Sequence, residues 1–381
     1  MIKANLLKTD GETSGHGRPL AVATVCLEAF RNYAHETVSL AKGFNVLGGR
    51  NGQGKTNFLE ALYLLSTTRL LRGQRDSEAI LEGKLKAQVT AELQVSETRL
   101  SIVLEAGVRK RAAINGLGIP RASDLIGRLP CVCVSAHDME LVRGEPADRR
   151  LFLDLELSSL SPAYLRHLTL YKRALEQRNA LLRDSKEWMQ PKETFEPWEE
   201  QLATHGAALR VSREEFVRRL CQPTAEIHAQ MAGGEHVDLV IEHKDPAMDT
   251  QALLDALSAG RHHDVARGGT GVGPHRDDLR IDVGGKEARL YGSQGQQRTA
   301  VISMKLGSLQ ISQDEFGVPP LLLLDDILSD LDESRRALLV EVVLERAGQA
   351  VLTCTEAAAA GSRILERAKV FHVEAGRVHE A

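Results

Sequence analysis

The chain has 381 residues, of which 43% are hydrophobic and 26% are charged, and its formal net charge is −4. This length suits two or three domains of an ordinary globular protein, and the net charge excludes a globally basic protein that coats DNA, although a local basic patch is compatible with it. No apolar run approaches the ~18 residues of a membrane span, and the N-terminus lacks the pattern of a signal peptide. Five cysteines without a CxxC pair argue against a disulfide framework or a zinc ribbon. We therefore expect a protein of the reducing cytoplasm that does not enter a membrane.

Residues 1–20 are polar and rich in glycine, which predicts a loose N-terminal tail. After this tail, periodicity predicts strands over 21–27 and 43–47, a helix over 56–66, and strands over 84–95 and 99–105. Gly107 and the pair Asn115-Gly116 are turn signals beside the later strands. The region 84–115 is therefore interpreted as an antiparallel meander.

The middle of the chain, from about residue 151 to 231, is predicted to be helical. Apolar residues recur there at near-heptad spacing in two runs that Pro191 and Pro197 separate: Tyr164, Leu168, Tyr171, Leu175 and Leu182, then Trp198, Leu202, Leu209, Phe216 and Leu220. The simplest interpretation is a small bundle in which the apolar stripes pack on each other, and a coil that binds a partner is the alternative. Each arm would be only about 30–40 Å long.

The last third of the chain returns to strands and turns after Gly268. Periodicity then predicts a helix over 294–308, a strand over 320–324, a helix over 335–347 and a strand over 350–355. The run Pro320–Leu324 is short and rich in leucine, which is typical of a strand that a parallel sheet buries on both faces.

Residues 49–56 fit the phosphate-loop pattern G-x-x-x-x-G-K-[ST]. The glycines let backbone N–H groups converge on phosphate oxygens, and the helix that follows points its positive end at them. Lys55 would reach the β- and γ-phosphates and support catalysis, while the Thr56 hydroxyl would ligate Mg²⁺. The pattern therefore predicts that ATP binds to Gly49, Arg50, Asn51, Gly52, Gln53, Gly54, Lys55, Thr56 and Asn57.

An apolar strand that ends in two acids, Leu321–Asp326, supplies the second metal ligand that a phosphate loop needs. It places carboxylates at the carboxyl edge of the sheet, where such folds bind ligands. We predict that Asp325 holds Mg²⁺ through water and that Asp326 polarises the attacking water. By itself the pair also fits a helix N-cap after a core strand.

A second anion site is predicted at Gly292–Arg298 (GSQGQQR), where a turn rich in serine and glycine leads into a helix. One chain has no obvious use for two phosphate cradles, so we expect this turn to contact the ATP of another copy. Phosphate loop, signature turn, acidic strand and D-loop follow in the order of ABC-type ATPases, although an ordinary N-cap would also explain the turn alone. The predicted signature residues are Ser293, Gln294, Gly295 and Gln296, and the predicted D-loop residues are Ser329, Asp330, Leu331 and Asp332.

These motifs, together with Phe30–Tyr33 (FRNY) and Gly273–Leu279 (GPHRDDL), resemble the bacterial RecF family of recombination mediators, relatives of the SMC and ABC ATPases. The resemblance covers about residues 21–375 and includes Gly144–Asp154, Tyr171 and Gln177–Asn179. It implies an α/β fold, with an ABC-type ATPase head of mixed and parallel sheet plus an inserted α-helical arm domain. The expected domains are a tail at 1–20, a first ATPase lobe at 21–150, a mainly helical insertion at 151–270 and a second lobe at 271–381.

The same resemblance implies a function. It implies ATP and Mg²⁺ as cofactors, ATP-dependent homodimerisation, and weak ATP hydrolysis that DNA stimulates. It also implies binding to double-stranded and gapped DNA, and cooperation with RecO and RecR in loading RecA. Phosphate contacts from the basic triplet at 109–111 and the basic pairs at 149–150, 172–173 and 218–219 would make DNA binding weakly sequence-specific, although each cluster by itself also fits a solvated surface.

Some positions depart from the ABC pattern. No glutamine follows the predicted strand 130–135, so Ser135, His137 and Asp138 all remain candidates for the Q-loop role. Thr355 stands where a switch histidine is expected, and His275 is either structural or catalytic.

Three other functions are compatible with a phosphate loop. A transporter subunit is disfavoured because the Q-loop glutamine is missing and GSQGQ stands in place of LSGGQ. An SMC-like tether is disfavoured because the helical insertion is short. A metabolic kinase is disfavoured because it would not need the signature turn.

Overall fold

The structure is a computed structural model that describes residues 21–72, 75–94, 97–185 and 191–381, without the side chain of Asp330. The predicted tail at 1–20 lies outside these ranges. The strands are β1 (Val22–Phe30), β2 (Tyr33–Ser39), β3 (Phe44–Gly48), β4 (Lys86–Leu93), β5 (Arg99–Glu105), β6 (Val108–Ile114), β7 (Leu117–Ile119), β8 (Cys131–Ser135), β9 (Val237–Glu242), β10 (Asp278–Val283), β11 (Lys286–Glu287), β12 (Leu321–Asp325), β13 (Gln349–Cys354), β14 (Ala368–Glu374) and β15 (Arg377–Glu380). The α-helices are α1 (Lys55–Thr67), α2 (Glu140–Arg143), α3 (Pro146–Leu160), α4 (Pro162–Asp184), α5 (Glu196–Met231), α6 (Thr250–Arg267), α7 (Ala288–Tyr291), α8 (Gln294–Phe316), α9 (Glu333–Arg346) and α10 (Ser362–Leu365).

The contacts divide the described residues into two compact units. We call the first the P-loop unit, which consists of the described parts of Met1–Met139, Pro223–Glu235 and Arg298–Ala381. The second is the signature unit, which consists of the described parts of Glu140–Gln222 and His236–Gln297. The expected domain borders at 150/151 and 270/271 remain predictions.

The P-loop unit contains two sheets. One has the strand order β2-β1-β4-β5-β6-β7 and is antiparallel, as predicted for the meander. The other has the order β15-β14-β3-β13-β12-β8, and its neighbours are parallel except for the edge pair β14–β15. The mixed and parallel α/β architecture expected from the sequence is therefore confirmed.

Strand β12 is buried on both faces, as its unbroken leucine run predicts. Leu321 and Leu323 join the apolar core that contains α1 and the antiparallel sheet. Leu322 and Leu324 join the core on the other face, which includes residues of α8 and α9. Alternate side chains of a strand point to opposite faces, so this one strand links both cores and fixes the position of the acids that follow it.

The signature unit consists mainly of helices, and its apolar stripes are largely buried within it, which fits the bundle interpretation. It also contains charges that burial would destabilise if they were unpaired. Arg178 is fully buried and bonds to Glu199 at 3.0 Å and Asp264 at 2.7 Å. Arg210 is fully buried and bonds to Asp245 and Asp277.

One element of this region is a strand that the sequence analysis did not specify. Residues 237–242 form strand β9, which pairs antiparallel with β10, although they lie inside the stretch expected to be mainly helical. The order β11-β10-β9 makes a three-stranded sheet. Across the described ranges, no helix has both the length and the apolar content that crossing a membrane requires.

Candidate nucleotide site and signature turn

The phosphate loop connects strand β3 to helix α1, as its sequence predicts. Gly49 has φ 148° and Gly54 has φ 121°, values that favour glycine. A Cβ atom at Gly49 would overlap the backbone of Val373, and one at Gly54 would overlap the side chain of Asn32. Both glycines are therefore required by close approach as well as by backbone conformation.

The turn between β1 and β2 supports this loop. The Tyr33 hydroxyl donates a hydrogen bond to the Gly54 carbonyl at 2.9 Å, and the Asn32 amide donates to the Gln53 carbonyl at 2.8 Å. Asn57, in the first turn of α1, donates to the side-chain oxygen of Asn32 at 2.8 Å. Burial raises the pKa of Tyr33 well above its usual value, so its hydroxyl stays a donor. The FRNY motif thus supports the loop rather than forming part of the phosphate cradle.

Lys55 lies where the loop can present it to an anion. Its Nζ donates to the carbonyl oxygens of Gly49 at 2.5 Å and Arg50 at 3.0 Å, and the side chain is buried. Its hydrogen-bond acceptors at these two positions are neutral carbonyls, so they do not offset the positive charge that would pair with a phosphate.

The predicted metal ligands are brought together although 269 residues separate them. The Thr56 hydroxyl donates to Asp325 Oδ1 at 2.9 Å, and Thr353 on the adjacent strand donates to the same oxygen at 2.8 Å. Burial raises the pKa of Asp325, while the hydrogen bonds from Thr353 and Thr56 oppose that rise. A hydroxyl and a carboxylate are hard oxygen ligands, so the donor set fits Mg²⁺.

Asp326 has an unusual backbone for a residue with a side chain, with φ 52°. Its N–H donates to the Thr353 hydroxyl at 3.0 Å, and its Oδ1 accepts from Ser329 at 2.8 Å. Strained residues of this kind concentrate at functional sites. The alternative of a plain N-cap does not describe it, because the N-cap of α9 is Asp332, which accepts from the Arg335 N–H.

The D-loop is anchored at its ends. Arg336 donates to the carbonyl oxygens of Leu328 at 2.9 Å and Leu331 at 3.0 Å. Leu331 is buried and Ser329 is exposed. The predicted role of the Asp330 side chain lies outside the described residues.

Among the candidates for the Q-loop, Asp138 accepts hydrogen bonds from the N–H and the hydroxyl of Ser135, at 2.6 and 3.0 Å, and His137 is exposed. The register of β8 and β12 aligns Ser135 with Asp325. At the switch position, the Thr355 carbonyl accepts from the Gly49 N–H at 3.3 Å. All three candidates at 135–138 stay open.

In the signature unit, Ser293 and Gln296 form a reciprocal pair at the start of α8. The Ser293 N–H donates to Gln296 Oε1 at 2.8 Å, and the Gln296 N–H donates to Ser293 Oγ at 3.3 Å. This is a capping box, so the N-cap interpretation holds for the isolated chain. It does not compete with an anion role, because a hydroxyl that accepts one bond still has a proton to donate.

The signature turn is followed in the chain by a hydrogen-bonded polar residue and preceded by exposed apolar residues. Gln297 is buried, accepts from Arg143 Nε at 2.8 Å, and donates to the Ala288 carbonyl at 2.9 Å. Ser293 and Gln294 are exposed, and just before them on α7 the side chains of Leu290 and Tyr291 are 66% and 70% exposed. Such large exposed apolar side chains beside a polar turn are typical of an interaction surface.

The GPHRDDL motif has structural contacts. His275 Nε2 faces the Thr270 carbonyl at 3.0 Å and its Nδ1 faces the Tyr171 hydroxyl at 2.6 Å. Burial lowers the pKa of His275 to about 4, so the ring is neutral near pH 7, with Nε2 donating and Nδ1 accepting. Asp277 binds Arg210, and Asp278 binds Arg149 through both oxygens. These contacts favour the structural alternative for His275.

The basic clusters separate into two kinds. Arg149 is buried against Asp278 and so does not belong to a solvated basic surface, while Arg150 is half-buried and donates to the Asp277 carbonyl. Arg109 and Arg173 are exposed. The other members are paired in part, since Lys110 bonds to Asp76, Arg111 to Glu105, Lys172 to Asp154 and Arg218 to Glu215.

Sequence reasoning missed the roles of Asn32, Tyr33 and Thr353, which support the loop and the two acids. The FRNY motif was the signal for the first two. No local signal marks Thr353, because its contact depends on the neighbouring strand.

Known proteins share this architecture over nearly the whole chain. The family profile described as the RecF/RecN/SMC N-terminal domain matches residues 21–378. The chain is 40% identical to the DNA replication and repair protein RecF of Symbiobacterium thermophilum, over 88% of this chain and 91% of that one. It is 37% identical to the protein of the same name from Agathobacter rectalis, over 94% of this chain and 99% of the relative.

Solved structures agree. The structure of the recombination mediator RecF with ATP, from the RecFOR pathway, superimposes with a TM-score of 0.86 at 27% identity and covers 95% of this chain and 98% of its own. An SMC head domain, at 16% identity and a TM-score of 0.56 over 94% of this chain and 96% of its own, shares the fold. The resemblance seen in the motifs is thereby confirmed, and this chain belongs to the RecF family of DNA replication and repair proteins, with the ABC-type ATPase head that RecF and SMC proteins share.

Proposed function

We propose that this chain is an ATP-dependent, DNA-binding mediator of repair and recombination that dimerises when it binds ATP and separates after slow hydrolysis. The observation that carries the proposal is the 2.9 Å hydrogen bond between Thr56 and Asp325. It joins the two residues that we propose as Mg²⁺ ligands, and Lys55 of the phosphate loop precedes Thr56 in the chain. The RecF relatives are named as replication and repair proteins, and one RecF structure contains ATP, which supports the same function.

In the P-loop unit, residues Gly49–Asn57 hold the triphosphate, with Lys55 at the β- and γ-phosphates. Thr56 and Asp325 are the residues that would hold Mg²⁺. Mg²⁺ supplies positive charge to the phosphate oxygens when it is bound. Asp326 orients and polarises the attacking water. Its left-handed backbone and its contacts with Thr353 and Ser329 fix the carboxylate direction for that role.

The signature turn completes the site of a second copy. Ser293, Gln294, Gly295 and Gln296 contact the γ-phosphate of ATP bound to the partner, and the D-loop residues 329–332 line the same interface. The capping box presents the Ser293 hydroxyl and the first N–H groups of α8 in one direction, which suits a phosphate. Hydrolysis removes the group that both copies hold, so the dimer then loses its main contact.

DNA binding follows from exposed basic side chains rather than from a base-reading element. Arg109 and Arg173 are exposed and suited to phosphate contacts. We expect binding to double-stranded and gapped DNA with weak sequence preference and steep salt dependence. One solved RecF structure is described as belonging to the RecFOR pathway, which supports RecO and RecR as partners. We propose that the three proteins act together in RecA loading, in the cytoplasm.

The decisive experiment replaces Ser293 with Arg, which is too large for a close phosphate turn. The phosphate loop is unchanged, so we expect ATP affinity of the monomer close to that of the parent, with loss of ATP-dependent dimers in sedimentation and loss of hydrolysis. Ser258→Arg, at an exposed position of α6 in the same unit, is the matched control and should retain both properties. A Ser293→Arg protein that still dimerises with ATP would overturn the shared site.

DNA distinguishes this function from that of a transporter subunit. ATP hydrolysis by the purified chain should rise with gapped duplex, and the rise should fall as salt increases. A transporter subunit has no reason to respond, so a rate that is unchanged across DNA and salt would contradict the proposal.

A further inference from the structure

Three potential metal ligands of different chemistry meet on the antiparallel sheet of the P-loop unit. They are Cys26 and Glu28 on β1 and His35 on β2. One ligand atom of each, a sulfur, a carboxylate oxygen and an imidazole nitrogen, lies within 4.8 Å of the other two. Cys26 is half-buried, while Glu28 and His35 are exposed. The cluster is part of neither the phosphate loop nor the signature turn.

The backbone places these side chains together. Cys26 and Glu28 are two residues apart on one strand, so they share a face. The opposite face carries Val25 and Leu27, which are fully buried. His35 is the direct partner of Glu28 in the register of β1 and β2. Directly opposed residues of antiparallel strands have Cβ atoms about 4.5–5.5 Å apart, so the grouping does not depend on the choice of side-chain rotamers alone.

We propose that Cys26, Glu28 and His35 form a binding site for Zn²⁺. Thiolate, imidazole and carboxylate are the three ligand types that zinc takes from proteins, and with three protein ligands water completes a tetrahedron. Metal–ligand bonds of about 2.0–2.3 Å place the ligand atoms of a tetrahedron about 3.3–3.8 Å apart. Ligand atoms that lie within 4.8 Å of one another therefore need to close by at most about 1.5 Å, which small rotations of the three side chains provide. Mg²⁺ prefers oxygen ligands alone and does not match a sulfur.

Polar groups on the same face surround the three ligands. Cys26 is paired with Thr37 on one side and Thr90 on the other, and Glu28 is paired with Gln88. Hydroxyl and amide groups beside metal ligands orient them by hydrogen bonding. The Gln88 amide already donates to the Thr90 hydroxyl at 3.4 Å.

The position of the site gives it a consequence for the nucleotide loop. The β1–β2 register runs from Glu28↔His35 to Phe30↔Tyr33, and the turn between these strands holds Asn32. Tyr33 and Asn32 are the residues that hydrogen-bond to the loop at Gly54 and Gln53. A metal ion that joins β1 to β2 would therefore stabilise the hairpin on which the loop depends.

The test uses the full chain, freed of metal by a chelator, without nucleotide, and titrated with Co²⁺. Bound cobalt should give a thiolate-to-metal band in the near ultraviolet and the strong visible bands of tetrahedral cobalt, saturating at one equivalent. Zn²⁺ should remove both signals by displacement. Cys26→Ser should abolish the near-ultraviolet band, and His35→Ala should weaken cobalt affinity by roughly tenfold or more.

Cys221→Ser is the matched control, because Cys221 is also half-buried but lies in the signature unit. It should keep the whole spectrum. If the parent shows no thiolate band, or if Cys26→Ser keeps it, the site does not exist. Circular dichroism checks that each variant is folded. Should Cys26→Ser misfold, the exposed substitutions Glu28→Gln and His35→Ala decide, because unchanged cobalt affinity in both would equally overturn the site.

Discussion

The phosphate loop and the signature turn are both glycine-containing turns at the start of a long helix, yet the chain supports them in different ways. The loop is tied to distant parts of its own unit: Tyr33 and Asn32 bond to its carbonyls, and Thr56 bonds to Asp325. In the signature turn, Ser293 and Gln296 bond to each other, and large apolar side chains beside them are exposed.

Under the proposed function, this difference separates a site that one chain prepares from a site that a second chain completes. A preorganised loop loses little freedom when ATP binds, so it can bind nucleotide by itself. A turn whose polar groups satisfy one another on the surface gains from a phosphate only when another molecule brings it. We therefore expect substitutions in the phosphate loop to affect ATP binding, and substitutions in the signature turn to affect dimerisation.

The largest effect is expected at Lys55. In Lys55→Met the ammonium that meets the β- and γ-phosphates is lost, so ATP affinity should fall by about 100-fold or more. Titration with a fluorescent ATP analogue measures the loss. Lys42→Met, at an exposed position before β3, is the control and should bind as the parent does. Near-parental affinity in a folded Lys55→Met protein would refute the phosphate-loop assignment.

The next largest effect is expected from Asp326→Asn, which should slow ATP hydrolysis rather than weaken ATP binding. The amide keeps the size and the acceptor for Ser329 but removes the charge near the water, so turnover should drop by roughly 100-fold while ATP affinity is retained. ATP should then hold dimers for longer than in the parent, as measured by dimer lifetime after dilution. If turnover is unchanged, the role belongs to another group, with Asp325 the first to test.

The comparison also shows how far the sequence determines the site. The loop and the acidic strand were predicted because each is a local pattern: a glycine spacing in one case, and a leucine run ending in acids in the other. Thr353 was not predictable, because its contact with Asp325 depends on which strand lies next to β12.

Charge patterns were less informative than apolar patterns. Arg149 and Arg150 look like a surface cluster in the sequence, but Arg149 is buried against Asp278, 129 residues away. The strand β9 was missed for a related reason, because a stretch of only 6 residues among long helices has a weak periodic signal. Both the burial of Arg149 and the formation of β9 depend on partners that are distant in the sequence.

A smaller effect is expected from the apolar residues beside the signature turn. Because Tyr291 is two residues from Ser293, it must lie near any partner that Ser293 contacts. Replacing Leu290 and Tyr291 by Ser should weaken ATP-dependent dimerisation by about tenfold, since part of their apolar surface would no longer be buried. Analytical ultracentrifugation across protein concentration measures this. Leu117→Ser, at a position 76% exposed in the P-loop unit, is the control. Equal weakening by the control would show that the effect is not specific.

The smallest effect on the ATP cycle is expected at His275. This residue tests the hydrogen bonds that stabilise the signature unit from within. Its pKa is about 4 in the folded chain against 6.5 for a free histidine, so the unfolded chain binds more protons between these values. Its contribution to stability is therefore complete above pH 6.5 and is lost as pH falls towards 4, by about 3 kcal/mol in all.

In His275→Gln that part of the pH dependence should disappear, although the variant is less stable at pH 7 by roughly 1–3 kcal/mol because the hydrogen bonds to Tyr171 and Thr270 are disturbed. Thermal unfolding measured from pH 7 to pH 4.5 gives both quantities. ATP affinity at pH 7 should stay near the parental value, because the phosphate loop has its own support. If parent and variant lose stability in parallel over this range, other groups carry the pH dependence and His275 is not the buried neutral ring described above.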